Sequence, residues 1–379
     1  ARPLHSGAIT TGRTAGRMGK RTAGTLLAGL VVMALAGCAG GAAGHGEAAG
    51  AGRYAGLPTA NGQGSEAGFR NWLVAFRPRA LAAGVSAPVF DGAMAEAHYQ
   101  PSLIALDRRQ SEFSRPVWAY LDDAVAPSRI ATGRQMAARH APLLGAIEAR
   151  HGVPPEIVLA IWGMESNFGA NRGDTPTVPA LATLAYDGRR GEFFAGELVD
   201  ALRIIQAGDV DSRHMVGSWA GAMGHTQFMP SSFLAHAVDF NGDGRRDIWS
   251  DDPTDALAST ALYLRQNGWR PGGVWGAEVV LPTGFDYNLV SKSITRPGRQ
   301  WAAMGVRSAA GGPVPGGAIL APAGARGPAF VITDNFRAIL KYNTSDSYAL
   351  AAAVRWRPLG ADVLVASARA ASPARLSAP

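Results

Sequence analysis

Only one of the chain's 379 residues is a cysteine, Cys38. An internal disulfide is therefore excluded, and so in practice is a zinc site built from thiolates. Whatever folds here must be held by apolar burial and hydrogen bonding. The material is present: 47% of the residues are hydrophobic and 17% charged, which excludes a wholly disordered chain. The length allows two or three domains at roughly 100–200 residues each. The net charge is +7, but Arg2, Arg13, Arg17, Lys20 and Arg21 all precede Cys38 with no acid among them. Without those five, 31 basic residues face 29 acidic ones, a balance of +2. So nearly neutral a remainder argues against the broad basic face of a nucleic-acid binder.

The same cysteine closes an address segment. Lys20 and Arg21 precede an apolar run, 26–37, of 12 residues. As a helix it would span about 18 Å, short of the ~30 Å hydrocarbon core, so it fits a signal peptide better than a membrane span. Met18 heads a compact signal, with residues 1–17 as an upstream extension. The run ends in Leu35-Ala36-Gly37-Cys38, which resembles the lipobox of bacterial lipoproteins. That resemblance implies acylation of Cys38 and cleavage just before it. Ala39 rather than Asp in the next position implies the periplasmic face of the outer membrane. Residues 38–64 are mostly Ala, Gly and small polar residues and read as a flexible tether, because they cannot bury enough apolar area to offset chain entropy.

Beyond the tether the pattern is helical. Phe69, Trp72, Leu73 and Phe76 repeat at three- and four-residue spacings, predicting a helix over 66–83 capped by Ser65. Further helices are predicted at 88–98, 115–126, 130–151, 155–166, 193–207 and 254–267. Gly152 and the Pro154-Pro155 pair punctuate two of them. From Val274 to Gly327 Gly and Pro become frequent and β-prone runs appear at 278–281, 318–320 and 330–333. Helix returns at 336–342 and 348–354. The expected organisation is a helical domain (65–150), a catalytic core (151–273), a small β-containing insertion (274–330), a C-terminal part of the core (331–359) and a loose tail (360–379).

Three constellations carry chemistry. In Gly163-Met164-Glu165-Ser166-Asn167-Phe168-Gly169, Glu165 ends an apolar helical run, with Ile161 four residues before it and Phe168 three after. A carboxyl among apolar groups resists ionisation, as a general acid must near neutral pH. The segment 217–233 contains three glycines within Gly217-Ser218-Trp219-Ala220-Gly221-Ala222-Met223-Gly224, then His225, Gln227 and Phe228. Trp219, Phe228 and Phe233 are apolar plates of the kind that stack on sugars, and Ser218 and Gln227 add hydrogen-bonding groups. The third, Asp239-Phe240-Asn241-Gly242-Asp243-Gly244-Arg245, matches the opening of a calcium loop. Asp239, Asn241, Asp243 and the Arg245 carbonyl are its hard oxygen donors. Position 12 holds Ser250 where a regular loop has Glu, leaving Asp251, Asp252 or Asp255 to close it.

In this order, with Asn267-Gly268-Trp269, Tyr342-Asn343 and Tyr348 following, and Leu106-Asp107-Arg108-Arg109-Gln110 and Glu112-Phe113 preceding, the motifs closely resemble the membrane-bound lytic murein transglycosylase B family. The resemblance covers roughly residues 69–359. It implies a mainly α (α+β) fold: a lysozyme-like core with an added helical domain and a small β-containing domain. It implies cleavage of the MurNAc–GlcNAc bond of peptidoglycan without water, leaving 1,6-anhydro-MurNAc. The catalytic glutamate would be Glu165. Sugar contacts would fall on Ser218, Gln227, Phe228, Tyr263, Tyr342, Asn343 and Tyr348. A structural calcium would be held by Asp239, Asn241, Asp243, Arg245 and Asp255, with no cofactor needed for catalysis. The expected partners are glycan strands and, through the lipid anchor, a membrane; the expected state is a monomer. His225 stands where that family varies and is expected to line the cleft without acting as a base. Glycosidases generally need two carboxylates. The nearest acidic neighbour of Glu165, Asp174, lies in a Gly/Pro loop, so one residue is expected to serve as acid and then as base. A non-catalytic wall-binding lipoprotein and a lysozyme-type hydrolase remain as rival readings.

Overall fold

The computed structural model describes residues 52–109 and 117–354. Cys38, the signal segment, most of the tether, Gln110, Glu112, Phe113 and the tail lie outside them. The first predicted helix is observed as Glu66–Ala82; Ser65 accepts a hydrogen bond from the Gly68 amide at 3.1 Å. It buries Phe69, Trp72, Leu73, Phe76 and Ala80, and the Trp72 and Phe76 rings stack at 4.7 Å.

The span 130–151, expected as one helix, is two: Pro127–Arg139 and Ala141–His151. His140 leaves helical geometry (φ −109°, ψ 19°), and Pro142 lies in the first turn of the second helix. Proline lacks the amide that would continue the ladder and its ring opposes the preceding turn. Gly152 then stops the chain in the left-handed region (φ 68°); a Cβ there would meet Pro271 at 2.5 Å.

Four helices carry no signal that was read in the sequence: Pro101–Arg109, Thr177–Asp187, Pro230–His236 and Gly298–Ala303. In Thr177–Asp187, ten of the 11 residues are buried. A helix surrounded by protein has no polar stripe, so the amphipathic period is lost.

The helices gather around two cores. One joins Glu66–Ala82, Ala87–Met94 and Pro101–Arg109 to Thr177–Asp187 and Gly191–Ala207. Asp107, 2% exposed, ties this assembly together by accepting Arg189 and Arg190, each at 2.6 Å. The other core surrounds Pro155–Ser166, in which ten of 12 residues are buried, with Thr254–Gln266, Asp334–Tyr342 and Asp346–Val354.

The β-containing region is a five-stranded antiparallel sheet. Its order is Thr295–Arg296, Gly317–Leu320, Ala329–Ile332, Gly276–Val280, Arg307–Ser308. Register pairs Ile319 with Val331 and Val279 with Ala329. Alternation sends Ala318, Leu320, Phe330 and Ile332 into the second helical core. It sends Val279, Ile319, Ala329 and Val331 into a small core of their own around Trp301. Both faces are covered, which is why the strands read as continuous apolar runs.

Candidate active site

Glu165 occupies the last turn of Pro155–Ser166, where the chain is apolar enough to be buried yet about to end. Asn167 (φ 50°) and Phe168 (φ 60°) turn the backbone left-handed, so Phe168 leaves the helical face on which its spacing had placed it. Its ring lies edge-on to Trp162 at 5.6 Å. Glu165 is 3% exposed. Its Oε1 accepts the Tyr348 hydroxyl at 2.7 Å, from the helix Asp346–Val354. Burial pushes the carboxyl up from 4.5 to about 7, and the Tyr348 hydrogen bond only partly offsets this. No other carboxylate contributes to that shift.

The phenols respond in turn. Burial raises Tyr348 and Tyr342 well above the usual tyrosine range, and the charge of Glu165 adds to both. Tyr342 donates to the Thr226 carbonyl at 2.6 Å, and Tyr263 to the Lys341 carbonyl at 2.5 Å. Tyr263 is pushed up to about 12 by burial. The rings of Phe228, Tyr263 and Tyr342 form a trio with centroids 4.9–5.9 Å apart. Asn343 accepts the Ser345 amide at 3.0 Å, at the entry to the helix that bears Tyr348.

The loop 217–228 folds back on itself, with Met223 and Phe228 exchanging backbone hydrogen bonds at 2.8 and 3.0 Å. Ser218 Oγ accepts the Ala222 amide at 3.1 Å. Gln227, left-handed at φ 55°, donates Nε2 to the carbonyls of Arg172 and Gly224 at 3.0 and 2.9 Å. Two of the expected sugar-stacking plates are core residues instead: Phe228 is 2% exposed and Phe233 0%. Phe233 packs on Trp249 and under Arg246. Trp219 is only partly buried. His225 is 2% exposed and belongs to the interior rather than to a cleft wall. A short loop that bonds to itself can put aromatic rings inside, because its backbone groups need no water.

The acidic loop is wound on its own carboxylates. Asp239 accepts the amides of Gly242, Asp243 and Gly244 at 2.6, 3.1 and 2.8 Å. Asn241 accepts Asp243, and Asp243 accepts Arg245. Asp255, 2% exposed, ties the two ends: Oδ1 accepts Phe240 and Oδ2 accepts Asp247, at 2.8 and 2.9 Å. Burial raises its carboxyl above the ordinary range, and the charge of Asp239 adds to this. Asp251 is instead paired with Arg172, and Asp252 accepts Thr254. The donor chemistry suits calcium: oxygen ligands only, with no basic side chain bonded to Asp239, Asn241, Asp243 or Asp255. Among the described residues no three His, Cys, Asp or Glu converge as a ready metal cluster.

In this mainly helical scaffold Glu165 is buried against one phenol, and among the described residues no other carboxylate bonds to it or shifts it. The chain belongs to the transglycosylase SLT domain family, whose profile matches residues 68–354. Among known proteins it is similar to membrane-bound lytic murein transglycosylase B of Escherichia coli (strain K12), with 44% identity over 141 residues. That stretch is 36% of this chain and 38% of the curated relative, so the chain spans well under half of that protein's length in the match. It is similar to SltB3 of Pseudomonas aeruginosa, solved in complex with NAG-NAM-pentapeptide (50% identity, TM-score 0.74, 79% of this chain and 80% of that one). It is also similar to Escherichia coli Slt35 in complex with calcium (28% identity, TM-score 0.64, 79% and 93%). The mainly helical, lysozyme-like fold expected from the sequence is the fold of these transglycosylases.

Proposed function

We propose that this chain is a lytic transglycosylase that cleaves the MurNAc–GlcNAc β-1,4 bond of peptidoglycan. The observation that carries the reading is Glu165: a lone carboxyl, buried, held up to about 7 and oriented by Tyr348. With Oε1 accepting the phenol, the proton of the neutral acid belongs on Oε2. That proton passes to the glycosidic oxygen as the bond breaks. The substrate's own 2-acetamido group stabilises the cationic carbon, in place of the second carboxylate that glycosidases generally use. Ionised Glu165 then takes the proton of the C6 hydroxyl as that oxygen attacks C1. Held in place, this hydroxyl outcompetes water by proximity. The similarity to SltB3, solved with a NAG-NAM peptide and with its NAG-anhNAM counterpart, supports the substrate class. Of the residues the resemblance implies as sugar contacts, Ser218, Gln227, Tyr263, Tyr342 and Asn343 keep that role in this reading; Tyr348, 3% exposed and bonded to Glu165, orients the acid instead, and Phe228, also buried, packs against the Tyr263 and Tyr342 rings. Mass spectrometry of muropeptides released from purified peptidoglycan tests it. Anhydro ends, lighter by one water than hydrolytic ends, are expected; reducing-end MurNAc would move the assignment to a lysozyme-type hydrolase, and no release to a wall-binding protein.

The loop 239–255 would hold a structural calcium through Asp239, Asn241, Asp243, the Arg245 carbonyl and Asp255; the ion would supply rigidity and take no part in the reaction. Asp243→Ala should abolish the rise in melting temperature that calcium produces. Cys38 would carry the lipid anchor and place the enzyme, as a monomer, on the periplasmic face of the outer membrane. No described helix is long and apolar enough to cross a membrane. Two or more acyl chains suffice for stable attachment, so Cys38→Ala should leave the protein out of the outer-membrane fraction.

A further inference from the structure

The strongest unassigned feature is a buried histidine clamped to the turn that carries the acid. Trp162 and Ser166 lie three residues before Glu165 and one after it, on the same last turn of Pro155–Ser166. Both are bonded to His225. The Trp162 indole N–H donates to His225 Nδ1 at 3.1 Å. Ser166 Oγ donates to the His225 carbonyl at 2.5 Å and accepts the Gly169 amide at 2.9 Å. On its far side, His225 Nε2 faces the Ser250 carbonyl at 2.7 Å, and the His225 amide donates to Ile248 at 3.0 Å.

These partners leave one tautomer. Indole can only donate, so Nδ1 is an acceptor and the ring proton sits on Nε2. A backbone carbonyl can only accept, so Nε2–H points at Ser250. The imidazole is thus neutral and spans two segments, the turn of Glu165 and the strip 248–250 in the later part of the loop 239–255. Burial opposes protonation of the ring, and Arg172 adds a cation beside it: its Nη1 lies 3.2 Å from Nε2, and with Nε2 protonated that nitrogen donates to the Ser250 carbonyl instead, at 3.1 Å.

The turn needs such a clamp. Asn167, the helix C-cap, takes the left-handed region readily, but Phe168 (φ 60°) is also left-handed, a conformation that bulky L-residues avoid and that surrounding contacts must hold. The fit is close: a Cβ on Gly169 would lie 2.5 Å from Cε1 and Nδ1 of His225. Released from the ring, the turn is free to relax, and the carboxyl of Glu165 moves with it.

We infer that His225 is a positioning residue for Glu165: it aims the acid by fixing the last helical turn through Trp162 and Ser166, without touching substrate. The inference rests on the proposed acid–base role of Glu165. A misplacement of about 1 Å in an acid–base group can cost on the order of 10²-fold in turnover.

The test separates kcat from binding in the full chain, using purified glycan strands. His225→Ala should lower kcat by about 10- to 100-fold while strand affinity stays within about threefold, because only the acid is displaced. His225→Asn keeps an acceptor where Nδ1 sits and should recover most of the loss. Trp162→Phe deletes one donor and keeps a ring, so its kcat should fall by less, about 3- to 10-fold. If His225→Ala does not fold, the Asn and Phe variants decide alone. The inference is overturned by wild-type kcat in a folded His225→Ala or in Trp162→Phe, by Asn performing no better than Ala, or by kcat and affinity falling together. Failure of the proposed function looks different: the wild type itself would release no anhydro ends. The kcat comparison holds for whichever product is made.

Discussion

Two buried glutamates sit in neighbouring regions of this molecule and differ in what surrounds them. Glu165 is 3% exposed and Glu197 5%, and burial pushes each carboxyl up to about 7. Glu197, on Gly191–Ala207, has both oxygens engaged by one residue: Oε1 accepts the Ser231 hydroxyl at 2.7 Å and Oε2 the Ser231 amide at 2.9 Å. It holds the start of the short helix Pro230–His236 in place. Glu165 has one bond, to a phenol itself kept neutral by burial. A raised carboxyl is thus not a signature of catalysis. The distinguishing feature is an oxygen left over once the structural bonds are made.

Substitution should separate the two most widely. Glu165→Gln keeps shape and hydrogen bonding but cannot give a proton and take it back, so turnover should fall by at least about 10²-fold with strand binding retained. Glu197→Gln can still accept the Ser231 amide and donate to its hydroxyl, so turnover should stay within about threefold of wild type. Equal losses in the two variants would erase the distinction.

Stability should show what the glutamates share. A carboxyl raised in the folded state is most favourable below its unfolded value of 4.5, and its contribution is lost as pH rises through about 7. At pH 8 the folded protein carries the full cost of an ionised, buried Glu165, on the order of 3 kcal/mol. Glu165→Gln should therefore melt higher than wild type at pH 8, with the gain shrinking towards pH 4; a gain that is flat with pH would place Glu165 in water. Glu197→Leu should destabilise instead, by about 1–3 kcal/mol, since the Ser231 amide and hydroxyl lose their acceptors. Chemical denaturation reads both.

Tyr348→Phe gives a smaller effect. The phenol stabilises the ionised carboxylate, so deleting it raises the Glu165 carboxyl further. The alkaline limb of the kcat/KM profile should move to higher pH, and turnover at the optimum should fall about 10-fold as orientation is lost. An unmoved limb would mean that the 2.7 Å contact does not persist in solution.

Much of the site could be read from residue order. The run Ile157, Val158, Ile161, Met164 announced a buried helix, and its bounds, Pro155–Ser166, are those predicted. A glutamate closing such a run must be desolvated, and it is. The Asp/Asn/Gly spacing of 239–244 announced a tight acidic turn, and Asp239 does gather its amides there; three of the five strands of 276–332 fall on the β-prone runs, while the two-residue strands Thr295–Arg296 and Arg307–Ser308 do not. These features are local: helix period, turn chemistry and apolar runs act over a few residues. Other local readings went astray where the interior closed over them. Thr177–Asp187 lost its period by being buried all round, and Phe228, Phe233 and His225, expected to face a sugar or line the cleft, turned inward.

By itself, then, the sequence determined that Glu165 would close a buried helix and where most of the helices, three of the strands and the acidic loop would lie, because propensity and patterning are properties of neighbours along the chain. Tertiary structure alone decided that Tyr348, 183 residues away, would be the partner of Glu165. Spacing left Asp251, Asp252 and Asp255 open and the resemblance named Asp255; the tertiary structure ties the acidic loop through Asp255 and sets His225 against Trp162. Those pairings depend on how separate segments pack, and packing is settled by the shape and burial of the whole core rather than by any spacing written in the chain.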